Sequence, residues 1–196
     1  LDGGEIVAAY QPIVELATGR CTGAEALVRW RRNGGEPTRP EEFLHAAEHA
    51  GLVPRITLAV LDATLRDLGD FLATRGDLQI NINLAPEDLE DDGFAETIAQ
   101  RIRQSPIEPN RIKLEITERA LINSERARSV IDQLRGNGHP VAIDDFGTGY
   151  SSLSYLETFN LDTLKIDKAF VDAIGTKAVT SQVIVHVISL ARDLEL

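Results

Sequence analysis

Asp144 and Asp145 stand side by side at the end of a short apolar stretch. The run VAIDDFGTGYSSLSYL, Val141 to Leu156, then passes directly into a loop rich in Gly, Thr and Ser. Adjacent carboxylates repel each other and are tolerated where water, a cation or an Arg/Lys group offsets their charge. Gly147 and Gly149 allow close approach of the backbone to a ligand. The segment reads as a cation site beside a binding loop; the plain alternative is an acidic turn that caps the next helix.

Other stretches end in the same way. Side chains of a strand alternate between its faces. In Gln79 to Leu84 the residues Ile80, Ile82 and Leu84 share one face, and Asn81 and Asn83 share the other. In Arg111 to Thr117, Ile112, Leu114 and Ile116 oppose Glu115. Val141 and Ile143 oppose Asp144, and Leu164 and Ile166 oppose Lys165 and Asp167. In Cys21 to Trp30, Glu25, Leu27 and Arg29 oppose Ala24, Ala26 and Val28. Each strand thus has an aliphatic face for helices and a second face that ends in something polar. Near the C-terminal strand ends, where barrels of parallel strands gather their catalytic groups, fall Glu25, Asn83, Glu115, Asp144, Asp145, Lys165 and Asp167. Carboxylates in that density, with an amide and one ammonium, call for metal. Hard oxygen donors suit Mg²⁺ or Mn²⁺, and a shared carboxylate such as Asp144 can bridge two ions for in-line phosphoryl displacement. Taken singly, Asn83 could cap the helix near Pro86, Glu118 could pair with Arg119 or Arg126, and Lys165 could serve as a Schiff-base lysine.

The elements that would carry these groups follow from periodicity. Ile6 to Leu16 and Arg20 to Trp30 read as a hairpin turning at Thr18-Gly19. Helices are predicted over Glu41 to Gly51, around Ile56 to Leu72, and over Glu87 to Gln104, Ser124 to Arg135, Ser151 to Glu157 and Lys177 to Leu194. Strands are predicted over Gln79 to Leu84, Arg111 to Thr117, Pro140 to Asp144 and Thr163 to Asp167. Strand and helix alternate after the hairpin, which predicts an α/β fold with a parallel sheet, in one domain spanning 1–196.

With 196 residues, 43% of them hydrophobic, the chain can bury a sizeable core. A net charge of -11 disfavours nucleic acid as a partner. The single cysteine, Cys21, fits a reducing compartment, hence the cytoplasm. The best membrane candidate, Val183 to Ala191, is far shorter than the ~20 residues a span needs, and no signal peptide stands out. The chain contains no methionine, which reads as part of something longer.

Taken together, the motifs resemble a family. EALVRW, Glu25 to Trp30, is similar to the signature that names the EAL domain, the bacterial cyclic-di-GMP phosphodiesterase. YQPIVEL, INLAPEDL, LEITE, DDFGTGYSSLSYL and LKIDKAFV match its other blocks in order. The resemblance implies a TIM-like (β/α)8 barrel whose first strand runs against the others. It implies metal ligation by Glu25, Asn83, Glu115 and Asp144, with Asp144 and Asp145 holding a second ion and Asp167 supporting it. It implies that Lys165 orients or activates the attacking water, that Gln11, Leu27 and Arg29 contact the dinucleotide, and that Glu118 steadies the loop Phe146 to Ser152. The reaction implied is hydrolysis of cyclic-di-GMP to linear pGpG with two Mg²⁺ or Mn²⁺ ions; a degenerate member would bind the dinucleotide without cutting it. A homodimer through the region after Gly149 is expected. So are fused sensory, GGDEF or membrane-anchored modules, which would put the domain at the cytoplasmic face of the inner membrane. Ala85 departs from the family's usual Ser. The family continues past Leu196 with two more strands, carrying a glutamate and a glutamine; the barrel is expected to stop short of them, and the chain alone to be inactive.

Two signals are set aside. His45, Glu48 and His49 fit a zinc-helix pattern, but Phe43, Leu44, Ala46 and Ala47 suggest an ordinary packed helix. The acidic run Glu87 to Asp92 reads as a solvated helix face or turn.

Overall fold

The structure, a computed structural model, describes residues 4–121, 125–147, 156, 159–176 and 180–196. The hairpin forms first in the chain. Strands β1 (Ile6–Val14) and β2 (Cys21–Trp30) pair antiparallel. Their turn closes through Glu15 N–H to Arg20 O at 2.9 Å and Gly19 N–H to Glu15 O at 2.8 Å. Four further strands follow: β3 (Gln79–Leu84), β4 (Ile112–Thr117), β5 (Val141–Phe146) and β6 (Thr163–Ile166). The sheet order is the chain order, and every pair after the hairpin is parallel. Strands laid down in sequence order, with helices between them, are the arrangement of a barrel rather than of a doubly wound sheet. The expected antiparallel first strand is present, and six strands lie among the described residues.

Helices cover the outer face. They are α1 (Leu44–His49), α2 (Val53–Thr74), α3 (Phe94–Arg103), α4 (Glu125–Gly136), α5 (Lys168–Asp172) and α6 (Thr180–Asp193). In α4 the buried residues Ala127, Val130, Ile131 and Leu134 recur at helical spacing and form one stripe. That stripe, Phe94, Ile98 and Ile102 of α3, and Val60, Leu61 and Leu72 of α2 share one core with Ile80, Ile82, Ile112, Leu114, Ile116, Val141 and Ile143. Each such side chain contributes roughly 1.5–3 kcal/mol by leaving water. The aliphatic faces predicted for β3, β4 and β5 are the buried outer faces.

Three readings change. The helix predicted over Glu41 to Gly51 breaks at Phe43 (φ −135°, ψ −22°), between a 3₁₀ turn at Pro40–Glu42 and α1. Phe43 is buried edge-on against Trp30, with ring centroids 5.7 Å apart. Glu87 to Gln104 is not one helix. A 3₁₀ turn at Pro86–Glu90 ends at the extended Asp91, whose side chain accepts from Gly93 N–H at 2.9 Å before α3 begins. Helix α5 was not anticipated; it starts because the Asp167 side chain accepts from Ala169 N–H at 2.8 Å. The helix expected over 151–157 lies outside the described residues except for Leu156, which is buried.

Candidate active site

The inner face of the sheet holds the polar residues. Parallel register sets Glu25 beside Asn81, Asn83 beside Glu115 and Thr117 beside Asp144. Antiparallel register sets Gln11 directly opposite Glu25, hence on the same face. Lys165 comes from β6, 140 positions after Glu25.

These side chains meet around one ammonium. Lys165 Nζ lies 2.6 Å from Glu115 Oε2, 3.0 Å from Asp144 Oδ2 and 3.4 Å from Glu25 Oε2. One carboxylate oxygen from each of Glu25, Glu115 and Asp144 lies within 4.8 Å of the other two. Asn83 Nδ2 donates to Glu25 Oε1 at 2.7 Å. Asn81 Nδ2 donates to Glu115 Oε1 at 2.6 Å.

Burial pushes the Glu115 carboxyl up, and the Lys165 ammonium works against that rise. Burial also works to lower Lys165, but the bond to Glu115 and the charges of Glu115, Asp144 and Glu25 outweigh it, so its proton is held more firmly than usual. That is the opposite of what a Schiff-base lysine needs. Lys165 is a donor here.

The paired aspartates owe their placement to an irregularity. Neighbouring strand residues normally face opposite ways. Between Ile143 and Phe146 the β5–β6 register shifts, and Asp145 adopts a left-handed backbone at φ +53°. Asp145 N–H donates to Asp144 Oδ1 at 2.9 Å. Burial, followed by the charges of Asp144 and Asp167, raises the Asp145 carboxyl. Asp167 spends one oxygen on the α5 N-terminus while its charge still reaches Asp145.

The loop after β5 is pinned at its start. Gly147 N–H donates to Glu118 Oε2 at 3.3 Å. Gly147 has φ +100°, and a Cβ there would come within 2.8 Å of the Phe170 ring, so the position needs glycine. The loop beyond Gly147 lies outside the described residues, as does most of the region assigned to a dimer contact. Leu27 lines a cavity of about 260 Å³ with Asn83 and Thr117. Arg29 shares the face of Glu25 and Leu27, and its Nη1 donates to Val28 O at 2.7 Å. Gln11 is exposed.

Two residues of the inner face and one buried carboxylate outside it escaped the sequence reading. Asn81 could have been found, since it alternates onto the same face as Asn83. Lys113 follows the same rule on β4; its Nζ donates to Thr163 Oγ1 at 3.1 Å, and burial lowers its proton affinity. Asp88 corrects an expectation. It sits in the acidic run read as solvated, yet it is fully buried, with Oδ2 accepting from Thr57 Oγ1 at 2.9 Å and Ala85 N–H at 2.8 Å. The cue was Pro86 followed by a carboxylate two residues on, the pattern of a turn whose acidic side chain reaches back to the chain before it. The His45-Glu48-His49 group lies exposed on α1 and satisfies itself locally: His45 Nδ1 is 3.5 Å from Glu48, and His49 Nδ1 is 2.8 Å from His45 O.

A family model described as EAL domain matches residues 1–196. The chain belongs to the EAL domain family. Its naming tripeptide, Glu25-Ala26-Leu27, sits in the middle of β2, with Glu25 at the ammonium and Ala26 in the core. Among curated relatives of this EAL chain is a protein of Escherichia coli K12 named probable cyclic di-GMP phosphodiesterase PdeB, 39% identical over 196 residues and covering 100% of the chain and 37% of the relative. The chain spans little more than a third of the length of the curated relatives it matches first. Among solved structures, the PaMucR phosphodiesterase in complex with c-di-GMP aligns with a TM-score of 0.91 and 31% identity over 100% of this chain and 80% of that one. The EAL enzyme Bd1971, bound to cAMP and cyclic-di-GMP, aligns at 0.90 and 30% over 100% and 54%. These EAL neighbours bear out the TIM-like barrel expected from the motifs.

Proposed function

We propose that this EAL domain hydrolyses one phosphodiester bond of cyclic-di-GMP, giving linear pGpG, with two Mg²⁺ or Mn²⁺ ions at the mouth of its barrel. The observation that carries the reading is the convergence of Glu25, Glu115 and Asp144, from three different strands, on a single cationic group. PdeB is named for this activity, and PaMucR carries this ligand.

The donor set fits the metal. Hard oxygens spaced within 4.8 Å suit a small divalent cation, and they already surround a positive charge. Glu25, Asn83, Glu115 and Asp144 would hold the first ion; Asp144 and Asp145 would hold the second, with Asp167 in support. Bound there, such ions acidify water and stabilise charge on the entering and leaving oxygens. Lys165, kept protonated by its neighbours, orients the attacking water and donates to developing negative charge. Arg29 would swing from the Val28 carbonyl to clamp non-bridging phosphate oxygens. Gln11 and Leu27 would contact the rest of the dinucleotide, Leu27 from the cavity it shares with Asn83. Glu118 holds Gly147 and so the start of the loop that follows the paired aspartates.

The reading extends to a cytoplasmic homodimer joined to sensory, GGDEF or membrane-anchored modules. Among the described residues no helix is long and apolar enough to cross a membrane.

The test is to incubate the protein that carries this domain with cyclic-di-GMP and Mn²⁺ and separate the products by chromatography. We expect pGpG, its loss with a chelator, and a fall of about 100-fold or more in E115Q. Tight binding with uncut substrate would return the domain to a receptor role, and absence of binding would overturn the proposal.

A further inference from the structure

The inner face of β3 carries two asparagines, and the proposed function uses only Asn83. Asn81 lies one layer deeper and is 6% exposed. Its Nδ2 reaches Glu115 Oε1 at 2.6 Å, across the β3–β4 pairing that sets Asn83, not Asn81, beside Glu115. Glu115 has a side chain fully closed to solvent, so both of its oxygens need protein partners. Oε2 takes Lys165 at 2.6 Å, and Oε1 takes Asn81. An amide suits that second place. It donates without adding charge, so it fixes the carboxylate without competing for its negative field as a second ammonium would. Lys113, the register neighbour of Asn81, is directed instead to Thr163.

We infer that Asn81 is a positioning residue: it fixes the rotation of the Glu115 carboxylate so that Oε2 is presented to the cation site. The inference rests on the proposed reading of Glu115 as a metal ligand. Hydrogen-bond partners of metal ligands typically govern 10–100-fold in metal affinity. The effect must act through Glu115 and through no other ligand.

The experiment is a calorimetric titration of Mn²⁺ into the protein that carries this domain and into its N81A, E115A and double variants. N81A is expected to weaken Mn²⁺ binding about 10–100-fold with Glu115 present, and to have no further effect in the E115A background. An equal loss in both backgrounds would mean a general structural role and would overturn the inference, as would wild-type affinity in N81A. Absence of Mn²⁺ binding by the unaltered protein would instead overturn the metal reading. Should N81A fail to fold, N81S takes its place. Its hydroxyl keeps a polar atom in the cavity but falls short of Glu115, and the same pattern is expected, with Mn²⁺ affinity equal to wild type again overturning the inference.

Discussion

Two buried carboxylates, one on β4 and one in the turn after β3, are held by different kinds of partner. Glu115, inside the barrel mouth, faces an ammonium at 2.6 Å and an amide at 2.6 Å. Asp88, outside the barrel between the end of β3 and α2, has a hydroxyl and a backbone N–H on Oδ2, and its buried Oδ1 has no hydrogen-bond partner among the described residues. Burial, only partly relieved by those two donors, pushes Asp88 up to about 6. Burial raises Glu115 as well, but there a cation opposes it. A carboxylate gathered with others around a positive charge has the surroundings that the proposed cation site requires. One held by neutral donors alone fastens a turn to a helix. Acidic residues buried in the same fold therefore need not share a role; the partner decides.

The largest test removes the cation. K165M leaves Glu25, Glu115 and Asp144 facing one another, and should cost about 3–5 kcal/mol in urea unfolding without metal. If the cluster is a cation site, added Mn²⁺ should restore much of this loss, about 2.7 kcal/mol at a hundredfold excess over its Kd. Mn²⁺ without effect on the variant would break the comparison from the side of the site.

A smaller effect separates Asp88 by pH. Its folded-state value of about 6 exceeds its ordinary 3.8, so the folded protein binds the proton more tightly. Stability from this group is therefore fully present below pH 4 and lost as pH rises towards 6. D88N lacks the titration. Between pH 3.5 and pH 7 the stability of wild type relative to D88N should fall by about 3 kcal/mol, measured by urea unfolding of both proteins. A constant difference across that range would show Asp88 to be no more perturbed than a surface carboxylate.

The smallest test adds a donor–acceptor pair. Ala85 has the extended backbone of a helix-capping residue (φ −87°, ψ 162°), and Asp88 already returns to its N–H. A serine would add its hydroxyl as a second acceptor for Asp88 N–H, which already reaches Ala85 O at 3.1 Å. A85S should raise the midpoint of unfolding by about 0.5–1 kcal/mol in stability and leave Mn²⁺ affinity unchanged. A change in Mn²⁺ affinity would show that the two regions are linked through Asn83.

Legibility followed the range of the interaction. The β3 strand was read to its ends because alternation is a local property of an extended backbone. Glu25, Asn83, Glu115, Asp144 and Lys165 were legible because each occupies the polar face of such a strand. The local pattern at Pro86 offers Asp88 a place in a turn, but its burial depends on Thr57, 31 positions earlier, and no local signal carries that. The split at Phe43 escaped for the same reason: its partner, Trp30, lies on another element.

By itself, then, the sequence determined the order of strands and helices, the face each side chain takes and the family motifs, since these depend on backbone sterics and on residues a few positions apart. Only the tertiary structure decided that Lys165 closes the ring of carboxylates, that a register shift brings Asp145 up beside Asp144, and that Asn81 holds the far oxygen of Glu115. Those are contacts across 140, 1 and 34 positions. Even the nearest of them depends on how β5 pairs with β6, because a strand left to its own geometry would send adjacent side chains apart.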